Sequence, residues 1–213
     1  MKKTILALST LSVFACAGGD LTPAVEPEVV VPVVLDEENT GGLYASLGIV
    51  YSRVYATNSA WLRRVDTQDQ VLAVSGSLGY EFNKYLAAEG RITKSFYQQD
   101  YADLTAYSLF LKPQYPISEK MDIYALLGYG LVQVKGTTRG TVAATPGASI
   151  LNQSGFQWGL GLSYVLNDKL DIFMDYTRLR RSGRINSRLT VPDANVYTEL
   201  NVDALTTGMI YHF

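Results

Sequence analysis

The chain has 213 residues and a formal net charge of −2 from 18 Lys+Arg and 20 Asp+Glu. That leaves room for one domain or one barrel and removes the global basicity expected of a nucleic-acid binder. Charged residues at 18% and hydrophobic residues at 47% exclude a disordered polyelectrolyte. One Cys and one His exclude an internal disulfide framework and a Cys/His metal cluster, whereas 15 Tyr and 18 Gly stand out.

Lys2 and Lys3 precede the apolar run Ile5-Leu6-Ala7-Leu8, continued by Leu11, Val13, Phe14 and Ala15. A basic start, a short apolar stretch and small residues beyond it predict a secretory signal peptide over 1–17. The run is too short to span a bilayer as a helix, which takes about 20 apolar residues. Ala15-Cys16-Ala17 supplies a small-x-small site, with cleavage expected after Ala17. A second reading stays open: Val13-Phe14-Ala15-Cys16 resembles a bacterial lipobox, in which Cys16 becomes the lipidated first residue, although Phe14 stands where that motif prefers a small side chain. Either route exports the chain. Residues 18–41 then carry Gly18-Gly19, Pro23, Pro27 and Pro32 among valines and acids. Proline removes backbone donors and favours extended, unpaired chain, so 18–41 reads as a periplasmic tether. A periplasmic strand or partner-binding segment is the alternative there.

From residue 42 the period is two. In 71–82, Leu72, Val74, Leu78, Tyr80 and Phe82 share one face with Gly76, against Ala73, Ser75, Ser77, Gly79 and Glu81. In 85–96, Leu86, Ala88, Ile92 and Phe96 oppose Glu89, Arg91, Thr93 and Ser95. In 156–166, Trp158, Leu160, Leu162, Tyr164 and Leu166 oppose Gln157, Gly159, Gly161 and Ser163. The last stretch sets Leu205, Thr207, Met209, Tyr211 and Phe213 against Ala204, Thr206, Gly208 and His212. One face is continuously apolar and often aromatic, while the other is polar and small. That pattern predicts an all-β, eight-stranded antiparallel up-and-down transmembrane β-barrel over 42–213, with lipid outside and polar groups inside. Closure follows, because an unpaired edge in hydrocarbon leaves backbone groups unsatisfied.

The predicted strands are 42–55, 70–82, 85–97, 103–114, 122–135, 153–166, 169–179 and 197–213. Their connections alternate. Those at 83–84, 116–120 and 167–168 are short, those at 56–69, 136–152 and 180–196 long, and 98–102 is intermediate. Short periplasmic turns and long outer loops place both termini in the periplasm. Tyr44, Tyr51, Tyr55, Tyr80, Tyr85, Tyr97, Tyr101, Tyr124, Tyr164 and Tyr197 fall near strand ends and are expected in the interfacial girdles.

The terminal alternation from Leu205 to Tyr211-His212-Phe213 resembles the closing signal of bacterial outer-membrane proteins. With Gly159-Leu160-Gly161-Leu162-Ser163-Tyr164 and Leu127-Gly128-Tyr129-Gly130, the chain resembles the OmpA-like or opacity-type eight-stranded barrels, often grouped as porin-family proteins. The resemblance covers 42–213 and implies the bacterial outer membrane. It also implies that the barrel-assembly machinery reads Tyr211 and Phe213 as an edge to pair with. The soluble peptidoglycan-binding domain that follows many such barrels is not expected here.

Eight strands leave an interior just wide enough for side chains to fill. Glu89, Arg91, Lys112 and Asp175 are the predicted inward charges, expected to pair into a polar plug because unpaired buried charge is costly. His212 is expected to be a hydrogen-bonded interior histidine rather than a general base. Asp66/Asp69 and Asp100/Asp103 read as solvated loop carboxylates. No catalytic residue, cofactor or metal is expected.

Nine of the ten arginines are expected at the outer end: Arg53, Arg63, Arg64, Arg139, Arg178, Arg180, Arg181, Arg184 and Arg188. Guanidinium binds phosphate through paired donors. Arg178, Arg180, Arg181 and Arg184 are therefore candidates for a rim that grips lipopolysaccharide. The alternative is charged loops paired with Asp66, Asp69, Asp100, Asp103 and Asp193. Functionally, the sequence favours a non-enzymatic barrel for envelope integrity or surface-loop display. Its rivals are a narrow diffusion channel, an adhesin that binds a host or partner surface through its loops, and a soluble ligand-binding barrel.

Overall fold

The computed structural model describes residues 41–56, 68–99, 102–137, 147–184 and 199–213, all within one compact unit, Glu37–Phe213. The predicted signal peptide and the tether up to residue 40 lie outside the described residues, as does most of each predicted long loop.

Every regular element among the described residues is a strand: β1 (Leu43–Ala56), β2 (Asp69–Asn83), β3 (Leu86–Gln98), β4 (Ala102–Ser118), β5 (Met121–Gly136), β6 (Ser149–Asn167), β7 (Leu170–Arg184) and β8 (Glu199–His212). Each pairs with its sequence neighbour, and β1 pairs with β8 from Tyr44↔His212 to Ala56↔Leu200, closing the barrel. No edge remains for hydrocarbon to expose. At this seam Gly48 and Gly208 face each other. A Cβ on Gly208 would lie 2.1 Å from the Leu47 carbonyl oxygen, so the close approach of the two strands needs glycine there.

Two-residue turns join β2–β3, β4–β5 and β6–β7 at one end, called here the turn end, where the chain also enters β1 and leaves β8. Asn83 and Asn167 shape two of these turns by accepting the backbone N–H two residues on, at Tyr85 and Lys169. The opposite, loop end carries the longer connections.

The two faces separate as the alternation predicts. Leu47, Leu109, Phe156 and Leu160 are each more than 60% exposed on the outer wall, within a band that also includes Ile49, Leu78, Ile92, Tyr129 and Met209. A water-soluble chain does not present so large an apolar surface. Bilayer hydrocarbon is its natural solvent.

Three boundaries differ by four residues or more from the sequence reading, the others by one or two. β4 runs on through Pro116 to Ser118, β6 begins at Ser149, and β7 extends to Arg184. The outer part of β7 is irregular, with register shifts at Arg178/Arg180 and Arg180/Gly183 and a positive φ of 50° at Ser182. Bulges put consecutive residues out of phase, so the period of two disappears although pairing continues.

The tyrosine girdle also needs correction. Tyr80, Tyr85 and Tyr97 are exposed on the outer wall, but Tyr44 and Tyr124 are buried inside the barrel and Tyr55 is buried against Asp203. Tyr44 and Tyr124 share the inward parity of their strands, which proximity to a strand end could not reveal.

Candidate functional site

The turn-end half of the lumen holds an ionic cluster built from opposite walls. Arg91 on β3 donates from Nε to Glu89 Oε1 at 2.9 Å, and from Nη1 and Nη2 to Asp175 on β7 at 3.0 and 2.8 Å. Glu89 also accepts from the Tyr44 hydroxyl at 2.9 Å, and Asp175 from Tyr124 and Thr177 at 3.2 Å each. Phe110 and Phe173 flank the guanidinium, with ring centroids 5.7 and 6.0 Å from Cζ. Lys112 Nζ lies 4.4 Å from the Tyr124 ring centroid and 5.0 Å from that of Tyr44. Three of the four expected lumen charges therefore bond directly, and the fourth is held by rings rather than by a carboxylate. Glycine makes room for those rings. A Cβ on Gly79 would fall 2.1 Å from the Tyr44 ring, and one on Gly161 2.4 Å from that of Tyr124.

The loop-end half is different. Val50, Val54, Val71, Leu104, Val132, Val134, Leu151, Leu179, Leu200 and Val202 form one apolar cluster, each no more than 3% exposed. The sequence reading expected polar groups along the whole interior. Outside and inside are both apolar here, as in Ile49-Val50 and Leu131-Val132, so the contrast that marked the faces elsewhere is lost. Gln157 lies buried in the wall, and neither atom of its amide has a hydrogen-bond partner among the described residues, a costly arrangement.

At the turn-end mouth, His212 Nε2 meets Asp171 Oδ2 at 2.9 Å, so the single histidine is an interior hydrogen-bonded group. Asp69 accepts the Ala102 N–H, and Asp103 accepts Lys94 and Ser95, so neither is a free loop carboxylate. Asp66 and Asp100 lie outside the described residues. Among the described residues, no group of three or more His, Cys, Asp or Glu is placed to hold a metal ion.

The rim arginines divide into two kinds. Arg178 is tied to the buried Asp203 by Nε at 2.7 Å and Nη2 at 3.0 Å, and Asp203 also accepts the Tyr55 hydroxyl at 2.7 Å. Arg180 donates to Ser154 O at 2.7 Å and Gln153 Oε1 at 2.8 Å. Arg181 and Arg184 are exposed. Arg63, Arg64, Arg139 and Arg188 lie outside the described residues.

A closed eight-strand barrel with a greasy exterior and a filled interior defines a membrane β-barrel protein. Residues 6–213 match the family described as outer membrane protein beta-barrel domain, and the chain belongs to that family; its members reside in the bacterial outer membrane. No protein of curated function matches the sequence. Among solved structures, Ail, the attachment invasion locus protein of Yersinia pestis, in complex with the heparin analogue sucrose octasulfate, is 20% identical; the match covers 81% of this chain and 99% of Ail with a TM-score of 0.53. Neisserial surface protein A is 15% identical over 81% of this chain and 97% of its own, with a TM-score of 0.55. The outer membrane protein AlkL is 16% identical over 92% and 96%, with a TM-score of 0.51. At these identities the likeness is one of fold.

Proposed function

We propose that this chain is a non-enzymatic, non-conducting outer-membrane barrel that supports the envelope and presents its loop end at the cell surface, with the turn end and both termini in the periplasm. The observation that carries this reading is the filling of the lumen in two layers, the Arg91 ion cluster below and the apolar cluster around Leu104 and Leu151 above. Water and ions crossing such a barrel would have to open both. Purified protein in a planar bilayer should give no reproducible conductance steps; uniform steps would replace this reading with a narrow diffusion channel.

A second role is favoured by the rim. Arg181 and Arg184 are exposed, and guanidinium pairs with phosphate and similar oxyanions through two donors. The Ail structure holds a sulfated sugar, which supports an anionic saccharide as the ligand class, with lipopolysaccharide phosphates the nearest source. Within the candidate set, Arg181 and Arg184 would bind, while Arg178 and Arg180 shape the rim through Asp203 and Gln153. Neutralising Arg180, Arg181 and Arg184 together should lower the lipopolysaccharide that co-purifies with the barrel, and Asp203→Asn should raise it by loosening Arg178. Unchanged retention in both variants would leave the rim as ordinary solvated charge.

A further inference from the structure

The outer wall carries an interruption that the lumen and the rim do not explain. The β4–β5 ladder pairs continuously from Ala102↔Gly136 to Leu111↔Leu127, skips residues 112–113 opposite 125–126, and resumes at Gln114↔Tyr124. Pro113 stands in the gap opposite Ala125 and has no N–H to donate across it. Ala125 is also small on the outward face. Its neighbours there are Ile123 on the same strand, Leu160 across β6 and Tyr115 one step along β4. A methyl among larger side chains leaves a groove of about 480 Å³, lined by Pro113, Tyr115, Ile123, Ala125 and Leu160.

One wall of the groove leads to a positive charge. Tyr115 stacks on Tyr85 at 6.3 Å between ring centroids, and Lys84 Nζ lies 5.2 Å from the Tyr85 ring. Lys84 sits in the exposed β2–β3 turn, two ring contacts from the groove, so its ammonium marks the turn-end interface; it also borders the turn-end mouth with Glu81, Asp122 and Asp171. An apolar slot that a pair of stacked rings links to an exposed cation matches an amphiphile with an anionic head and a long tail.

We propose that this groove seats one acyl chain of a phospholipid from the periplasmic leaflet, with its phosphate beside Lys84. The assignment to that leaflet rests on the orientation given under Proposed function. Its test is native mass spectrometry of the full barrel purified from outer membranes, delipidated in detergent and then titrated with phosphatidylglycerol. The wild type should retain one phospholipid after delipidation. Ala125→Phe, which fills the groove, should lose it, while Ala45→Phe on the far wall should keep it. Lys84→Gln lies in an exposed turn and should bind phosphatidylglycerol about fivefold more weakly. If Ala125→Phe does not fold to a heat-modifiable form, Ala125→Leu takes its place. Equal retention by the wild type and the groove-filled variant would overturn the proposal. So would retention of lipopolysaccharide in place of phospholipid, which would also invert the orientation. Conductance through the lumen would count against the sealed-barrel reading and leave this result standing.

Discussion

Arg91 on β3 and Asp175 on β7 stand four strands apart in an eight-strand ring, and the guanidinium crosses the lumen to bond the carboxylate twice, at 3.0 and 2.8 Å. The same cation holds Glu89, so one guanidinium bonds two buried carboxylates, and the buried Lys112 supplies the second positive charge that balances them. Removing one member of such a group strands the others in low dielectric, which costs about 3–5 kcal/mol. Arg91→Met should therefore lower the urea midpoint of barrel unfolding in lipid vesicles. Adding Asp175→Asn to Arg91→Met, which leaves Glu89 and Lys112 to balance each other, should restore most of the loss. A double variant no more stable than Arg91→Met would mean that stranded charge is not the cause.

The apolar half makes a separate expectation. Leu104 is fully buried among Val134, Leu151 and the residues around them, and deleting such a side chain costs about 2–5 kcal/mol through lost burial and the cavity left behind. Leu104→Ala should destabilise accordingly. Because the two layers lie in series, neither Leu104→Ala nor Arg91→Met alone should give conductance steps in a planar bilayer. Steps in Arg91→Met alone would show that the apolar layer does not seal the barrel.

Alternation made the fold legible because, along most of each strand, one face meets lipid and the other a crowded polar interior. Glu89, Arg91 and Asp175 could be read as an inward group because each interrupts small or apolar neighbours at the right parity. The apolar half of the lumen could not be read so, since Val50 beside Ile49 looks the same whichever face meets lipid. Asp203 was missed for a related reason. It shares the outward parity of Leu205 and Met209, yet Arg178 and Tyr55 bury it, and only the pairing of β8 with β7 on one side and with β1 on the other brings these three together. The groove at Ala125 depends on an absence of bulk and a break in pairing, neither of which leaves a periodic mark.

Gly161 and Tyr124 offer a test of how glycine shapes the lumen. A Cβ at 161 would enter the Tyr124 ring at 2.4 Å from Cζ, so Gly161→Ala must push the ring away from Asp175 and Lys112. Shrinking the ring should remove the conflict. The cycle of Gly161→Ala, Tyr124→Leu and the double variant, read by urea unfolding in vesicles, should show a coupling of about 0.5–3 kcal/mol in the sense that the double variant loses less than the sum of the singles. Additive losses would mean that the ring shifts freely and that glycine at 161 has another cause.

The last residue separates a structural anchor from an assembly signal. Phe213 donates its N–H to the Leu43 carbonyl at 3.1 Å and meets the Tyr211 ring edge-on at 5.2 Å, but its side chain is 72% exposed. One backbone hydrogen bond and an exposed ring contribute about 1 kcal/mol to the folded barrel. Deleting Phe213 should therefore barely move the unfolding midpoint of protein refolded into vesicles. In cells, the same deletion should sharply lower the amount of heat-modifiable barrel in the outer membrane, if the assembly machinery pairs with this edge before the barrel closes. Unchanged amounts in cells would leave Phe213 as an interfacial anchor alone, whereas equal losses in cells and vesicles would trace the defect to stability rather than recognition.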